Sequence, residues 1–183
     1  MAKIGESSCR QFLAGDHKAL EEFIRKYSDA LVRFAYSYVR NSAAAEDVAA
    51  ESMAIFCLKQ KQFPDESRMR AYLYKIARSK AMDYLRHHRN DVPLEDVENV
   101  LPGPSAEDLH LKHQRDILLY KSLQKLPEQY RQVLQLTYLD GFSVKEVCGI
   151  LKKSPKQVYN LLARAKASAK EELEKEGISH EDL

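Results

Sequence analysis

Apolar residues in the first part of the chain recur at intervals of three and four. Leu20, Phe23, Ile24, Tyr27, Leu31, Phe34, Ala35 and Tyr38 fall on one stripe, the period of a helix with one buried face. Asn41-Ser42 offers a stop and a new N-cap. A second helix is expected over 44–59, with Val48, Met53, Ile55, Phe56 and Leu58 available for packing. Pro64 interrupts the pattern, and Asp65 or Ser67 caps a third helix that runs to about His88. Met69, Leu73, Ile76, Ala77 and Tyr84 lie along one side of it.

The pattern then lapses. Residues 93–108 hold Pro93, Pro102, Gly103 and Pro104 among Asp and Glu, the composition of a linker. Helical periodicity resumes at Leu109. Leu126-Pro127-Glu128 marks a boundary, with proline in the first turn of the next helix, and Gly141 marks another. The chain of 183 residues has only six Gly and six Pro, which favours helices over many-stranded sheets. The expected fold is all-α. Two small helical domains, 8–92 and 109–176, flank a flexible acidic linker at 93–108.

One stretch is a helix-turn-helix by its own pattern. Ser143 and Glu146 form a capping box. Val144, Val147, Cys148 and Leu151 make the inner face of the helix they start. After Lys152-Lys153, Ser154 caps a second helix with Pro155 at its first position. At about 100° per residue, Val158, Leu161, Leu162 and Ala165 cluster on one side. Lys156, Tyr159, Asn160, Ala163 and Arg164 cluster on the other. A tight turn followed by a helix with outward Lys, Tyr, Asn and Arg suits the major groove. Asn and Arg can bond base edges, while Lys and Tyr suit phosphates. The bland alternative is an αα-hairpin with a solvated face.

Charge changes the picture by its distribution. The net charge is +2, which selects no partner. Yet Arg68 to Arg89 carries seven cations and one acid, Leu94 to Asp108 five acids and no cation, and Lys152 to Lys170 six cations and no acid. Two basic helices around an acidic tether make a two-site footprint on a polyanion. Cys9, Cys57 and Cys148 are far apart with no CxxC, the pattern of buried thiols in a reducing compartment. There is neither a signal-peptide core nor a membrane-length apolar run. The expectation is a cytoplasmic protein without membrane insertion.

On these residues the chain resembles the sigma-70 family, and more narrowly its extracytoplasmic-function (ECF) sigma factors. Leu126-Pro127, Arg131, Gly141-Phe142-Ser143, Val158 and Arg164-Ala165 resemble region 4. "AAAEDVAAESMAIF", with Glu46-Asp47 and Glu51, resembles region 2.2. "RAYLYKIARSKAMDYLRHHR", with Tyr72-Leu73, Ile76-Ala77, Asp83 and Tyr84-Leu85-Arg86, resembles regions 2.3 and 2.4. The likeness spans about residues 10–90 and 110–175. Ala44 stands for a frequent Asp, Ala50 for Gln, Tyr72 for Trp, Ser79 for Asn, and Lys152-Lys153 for a Gly and an apolar residue. A non-Gly residue at positive φ is unfavourable. Either the turn carries that strain at Lys152, or Lys152 continues the first helix.

The resemblance implies a protein that is not an enzyme and needs no cofactor or metal. It would bind core RNA polymerase and direct promoter-specific initiation. Lys153, Lys156, Tyr159, Asn160, Ala163 and Arg164 would meet the duplex −35 element. Lys61, Arg68, Tyr74, Lys75, Arg78, Ser79, Lys80 and Asp83 would meet the melted −10 strand, where base capture and a basic track are needed. Tyr72 and Tyr74 fit core packing as well. Tyr38, Arg40, Glu46, Asp47, Val48, Glu51 and Ile55 would face the polymerase β′ clamp helices, and region 4 the β flap. The acidic linker would enter the RNA-side channel or act as a spacer. An anti-sigma factor is a further partner the family admits, and such a protein would work at the nucleoid.

Two other readings compete. A regulator outside the sigma class would use only the C-terminal helix-turn-helix, leaving the N-terminal basic helix unexplained. A metal-dependent nuclease would need Asp65, Glu66 and Asp83. No HExxH, phosphate loop or catalytic triad accompanies them, and His87-His88 and His110/His113 lie at helix edges beside charged residues, a poor setting for a metal.

Overall fold

The structure, a computed structural model, describes residues 17–59, 63–88 and 123–175. The linker 93–108, Lys61 and the outer ends of both expected domains lie outside these residues.

Among the described residues, three helices form the N-terminal half: α1 His17–Val39, α2 Ser42–Leu58 and α3 Glu66–His87. Phe23, Tyr27, Leu31, Phe34, Ala35 and Tyr38 of the α1 stripe are buried, whereas Ile24 remains 41% exposed. Arg40 ends α1 in the left-handed region at φ 54, its N–H donating to the Tyr36 carbonyl at 3.1 Å. Asn41 then caps α2 through Oδ1, which accepts from the Ala44 N–H at 2.8 Å. Asp65, not Ser67, caps α3, accepting from the Arg68 N–H at 2.8 Å.

An aromatic cluster joins the three helices. Phe23 stacks on Phe56 with ring centres 5.4 Å apart, and Phe56 meets Phe63 at 5.8 Å. Tyr72 leans on Phe56 and Phe63 at 6.3 and 5.3 Å. Such pairs add to the area they bury when tilted or offset. The core reading of Tyr72 is therefore the one this packing supports.

The C-terminal half comprises α4 Glu128–Leu134, α5 Val144–Leu151 and α6 Pro155–Lys175. Pro127 precedes α4 as its N-cap residue and does not enter the first turn. A π-helical turn, Gln135–Leu139, extends α4. Sequence periodicity does not reveal it, because one wider turn merely shifts the apolar phase. It ends where the Asp140 N–H donates to the Gln135 carbonyl at 2.9 Å, and Gly141 follows at φ 66.

The halves pack together. α4 lies against α1 and α5 against α3. This explains why Tyr36, Ser37, Tyr38 and Val39 are all buried, although one helix face supplies only some of them. The buried Arg131 guanidinium of α4 donates to the carbonyls of Gln124, Leu126 and Ser37 at 3.1, 3.2 and 3.0 Å. Arg40 donates to the Gln124 amide oxygen at 2.8 Å.

Candidate nucleic-acid interface

The helix-turn-helix forms as its caps require. Ser143 and Glu146 close the capping box on α5. At the C-terminal end Lys152 takes φ 53 and ψ 47, the left-handed cap conformation. The turn is therefore made by a lysine at positive φ and not by continuation of α5. Its N–H and that of Lys153 return to the Cys148 carbonyl, satisfying an otherwise orphan acceptor. Ser154 and Gln157 form a second reciprocal cap on α6. The Ser154 N–H donates to Gln157 Oε1 at 2.8 Å, and the Gln157 N–H donates to Ser154 Oγ at 3.3 Å.

These caps fix the rotation of α6. Val158 and Ala165 are fully buried, Leu162 is buried and Leu161 half-buried. Lys156, Tyr159, Asn160, Ala163 and Arg164 are exposed together, with Tyr159 at 61% exposure. Lys153 is half-buried beside them in the turn. Among the described residues, no carboxylate pairs with Lys152, Lys153, Lys156 or Arg164. Further along, acids reappear as partners: Lys170 lies 3.7 Å from Glu174 and Lys175 2.6 Å from Glu172. Lys166 instead sits over the exposed Tyr138 ring, 5.1 Å from its centre. The acid-free part of α6 is thus its outward cationic face.

On α3, residues expected to meet single-stranded DNA separate into two groups. Arg68, Lys75 and Ser79 are exposed and share a side of the helix by spacing, although Arg68 also lies 3.5 Å from the Asp65 carboxylate. Others turn inward or pair locally. Lys80 is held by Glu51 of α2 at 2.5 Å, and Asp83 by Arg86 at 2.5 Å. The half-buried Arg78 lies beside the Tyr38 hydroxyl, whose ionisation is pushed well above the usual tyrosine range by burial. Tyr74 is almost fully buried between Phe34 at 4.9 Å and Phe142 of the other half at 4.8 Å. In this packing it presents no surface to a base.

The residues expected at a polymerase surface also divide. Glu46, Asp47 and Glu51 are exposed on α2, Arg40 and Ile55 are half-buried, and Tyr38 and Val48 lie in the core. Burial makes Tyr38 and Val48 supports of that surface in this packing. Because α2 begins at Ser42, Glu46 and Asp47 fall beyond its first turn. A helix dipole acts within that turn, so it does not account for them. Sequence reasoning missed Arg70 and Asp140 between the halves, and the contact roles of Arg131 and Phe142. The only signal was the pattern around Arg131 and Gly141-Phe142.

Family models place this architecture. Residues 23–90 match sigma-70 region 2, and residues 116–168 match sigma-70 region 4. The chain belongs to the sigma-70 family. Both regions in one chain remove the reading as a lone helix-turn-helix regulator. Membership makes the protein a transcription-initiation specificity factor and not an enzyme. Its relatives include several ECF sigma factors. ECF RNA polymerase sigma factor SigM of Bacillus subtilis is 26% identical over 157 residues, covering 82% of this chain and 93% of its own length. SigW of the same organism is 24% identical, covering 90% and 94%. ECF sigma-E of Salmonella typhimurium is 28% identical, covering 75% and 77%.

The fold matches two solved structures across most of their length, one of them a sigma factor. RpoE, in complex with the anti-sigma factor NepR from Bartonella quintana, superposes with a TM-score of 0.63 at 22% identity. The match covers 86% of this chain and 98% of that one. CnrH, in complex with the cytosolic domain of CnrY, gives 0.61 at 20%, covering 94% and 98%. No described helix of this sigma factor is long and apolar enough to cross a membrane.

Proposed function

We propose that this ECF sigma factor binds core RNA polymerase and directs it to promoters through two separate surfaces. The observation that carries the reading is the outward face of α6. Lys156, Tyr159, Asn160, Ala163 and Arg164 stand exposed without carboxylate partners among the described residues, on a helix whose opposite face is core. Exposed helices ordinarily mix signs to gain local pairs. A face without acids, behind a doubly capped turn, is suited to a duplex −35 element. Lys153 and Lys156 would take phosphates, and Asn160 and Arg164 base edges.

The −10 strand would follow α3. Arg68 lies at its approach, Lys75 and Ser79 on its open side, and Arg78, Lys80 and Asp83 beside them; Lys61, outside the described residues, would join the same basic track. Tyr74 would become available only when the halves part. Glu46, Asp47 and Glu51, supported by Val48, Ile55 and Tyr38-Arg40, would meet the basic side of the β′ clamp helices. Region 4 (109–176) would reach the β flap, and the 93–108 linker would join it to region 2 (8–92). The protein would act in the cytoplasm at the nucleoid, and an anti-sigma factor would be its natural antagonist.

Run-off transcription with core polymerase and a genomic promoter library tests this reading. Specific starts that appear only when the protein is added support it. Transcription unchanged by the protein, with no complex formed with core, would overturn it.

A further inference from the structure

The contact between the halves has the chemistry of a joint that opens. At its centre, Arg70 of α3 donates to the Asp140 carbonyl at 2.5 Å, and its guanidinium lies 4.7 Å from the centre of the Phe142 ring. Phe142 in turn meets Tyr74 edge-on at 4.8 Å. Nearby, Ser67 is hydrogen-bonded to Glu146. Gly149 of α5 lies so close to α3 that a Cβ there would stand 3.1 Å from the Lys75 ammonium.

The Asp140 side chain is enclosed in this contact. Arg33 of α1, Arg70 and Tyr74 of α3 and Gln135 of the π-helical turn face it. Three of these four come from the opposite half. The packing is nevertheless incompletely bonded. The Asp140 carboxyl, the Tyr74 hydroxyl and the Gln135 amide lie close enough to interact but out of good hydrogen-bond geometry, and the Thr137 hydroxyl is buried without a hydrogen-bond partner among the described residues. Buried polar groups left in that state are costly, and parting the halves would open Asp140 and Tyr74 to water.

We propose that the two halves close on each other through a proton-dependent latch at Asp140, which withdraws Tyr74 and crowds Lys75 when shut. The consequence for DNA rests on the reading of α3 as the −10 face, whereas the closure does not.

The sign follows from enclosure. Burial pushes the Asp140 carboxyl up to about 6, against the opposing pull of Arg33, Tyr74, Arg70 and Gln135. Parting the halves removes three of those groups and returns the carboxyl toward the ordinary 3.8. The closed form therefore binds the proton more tightly. Protonation favours closure at acid pH, and that contribution is lost as pH rises through about 6. From pH 5 to pH 8 the closed-to-open ratio falls by about tenfold.

Energy transfer between dyes on the full chain reads the closure. Cys9, Cys57 and Cys148 are replaced by Ala, and the dyes are placed at Ala54→Cys and Ala167→Cys, both exposed positions. Transfer should fall with rising pH and level off above about 6, where the carboxyl is ionised in both forms. Asp140→Asn should hold the acid value throughout. Gly149→Phe, whose ring must displace Lys75, should lower transfer at every pH while helicity by circular dichroism is retained. A pH-independent signal in the parent chain, or the same pH response in Asp140→Asn, would overturn the latch. At one fixed pH of about 7.5, binding of a random pool of single-stranded DNA separates the two claims. Asp140→Asn should bind more weakly than the parent and Gly149→Phe more tightly. Transfer that responds as expected while DNA binding does not move supports the latch and removes the −10 role of this face.

Discussion

The Arg131 guanidinium donates to the Ser37 carbonyl at 3.0 Å, joining residues 94 positions apart. Ser37 lies near the end of α1, where its hydroxyl donates to the Phe34 carbonyl at 2.7 Å. The same guanidinium holds the Gln124 and Leu126 carbonyls just before α4. One buried cation thus fixes the entry of α4 and ties it to the N-terminal half. Arg131→Ala should cost about 3 kcal/mol, because it leaves carbonyls unpaired and a cavity. Arg131→Lys should recover only part of this, since an ammonium lacks the planar fork. Urea unfolding of the two variants measures the loss. Parent-like stability in Arg131→Ala would show that the tie contributes little.

Lys152 offers the opposite sign. It sits at φ 53 and caps α5, a conformation that disfavours a side chain by about 1 kcal/mol. Lys152→Gly should raise stability by about that amount while removing one exposed cation. Thermal melting and the salt dependence of duplex binding should therefore move apart, with a higher midpoint and a shallower slope. A lower midpoint would mean that the lysine stem stabilises the turn by more than its backbone strain costs.

Much of this was legible in the chain, for local reasons. The α1 stripe, the Asn41 cap, the Ser143–Glu146 box and both faces of α6 depend on residues a few positions apart, and the described residues follow them except that Ile24 stays exposed and Leu161 half-buried. The π-helical turn was not legible, since Gln135 to Leu139 carry no residue that demands it. Asp65 and Ser67 were equal candidates to cap α3, and only the fold decides between them. The inward turn of Tyr74 was open because its partner Phe142 lies far along the chain. Tyr38 and Val48 carry two readings in the sequence, as packing residues by periodicity and as polymerase-facing ones by the motifs around them, and the packing of α1 and α2 buries both.

Glu46 and Asp47 project from α2 without an ion pair among the described residues, while Glu51 is held by Lys80. This makes Asp47 the cleaner probe of polymerase docking. Asp47→Ala with Glu51→Ala should weaken core binding by about 2 kcal/mol or more. Duplex DNA binding through α6 should be unchanged, because α2 is remote from it in sequence and packs with α1 and α3. Competition for core polymerase against a labelled sigma factor measures the first effect, and a gel shift on duplex DNA the second. An undiminished core complex would remove these carboxylates from the interface.

The last prediction separates reading from anchoring on α6. Arg164 and Lys156 are both exposed on its outward face, but their chemistry differs. A guanidinium can bond a guanine edge through two donors, whereas an ammonium on a flexible stem acts chiefly as a charge near phosphate. Arg164→Ala should therefore cost about 1–3 kcal/mol on the cognate −35 duplex and little on unrelated duplexes, flattening the preference between them. Lys156→Ala should weaken both by similar factors and reduce the salt slope by about one unit. Titrations of each variant against both duplexes at several salt concentrations give the two quantities together. If Arg164→Ala lowers affinity equally on both duplexes, Arg164 is an anchor. Discrimination would then fall to Asn160 and Tyr159, which stand one turn earlier on the same face.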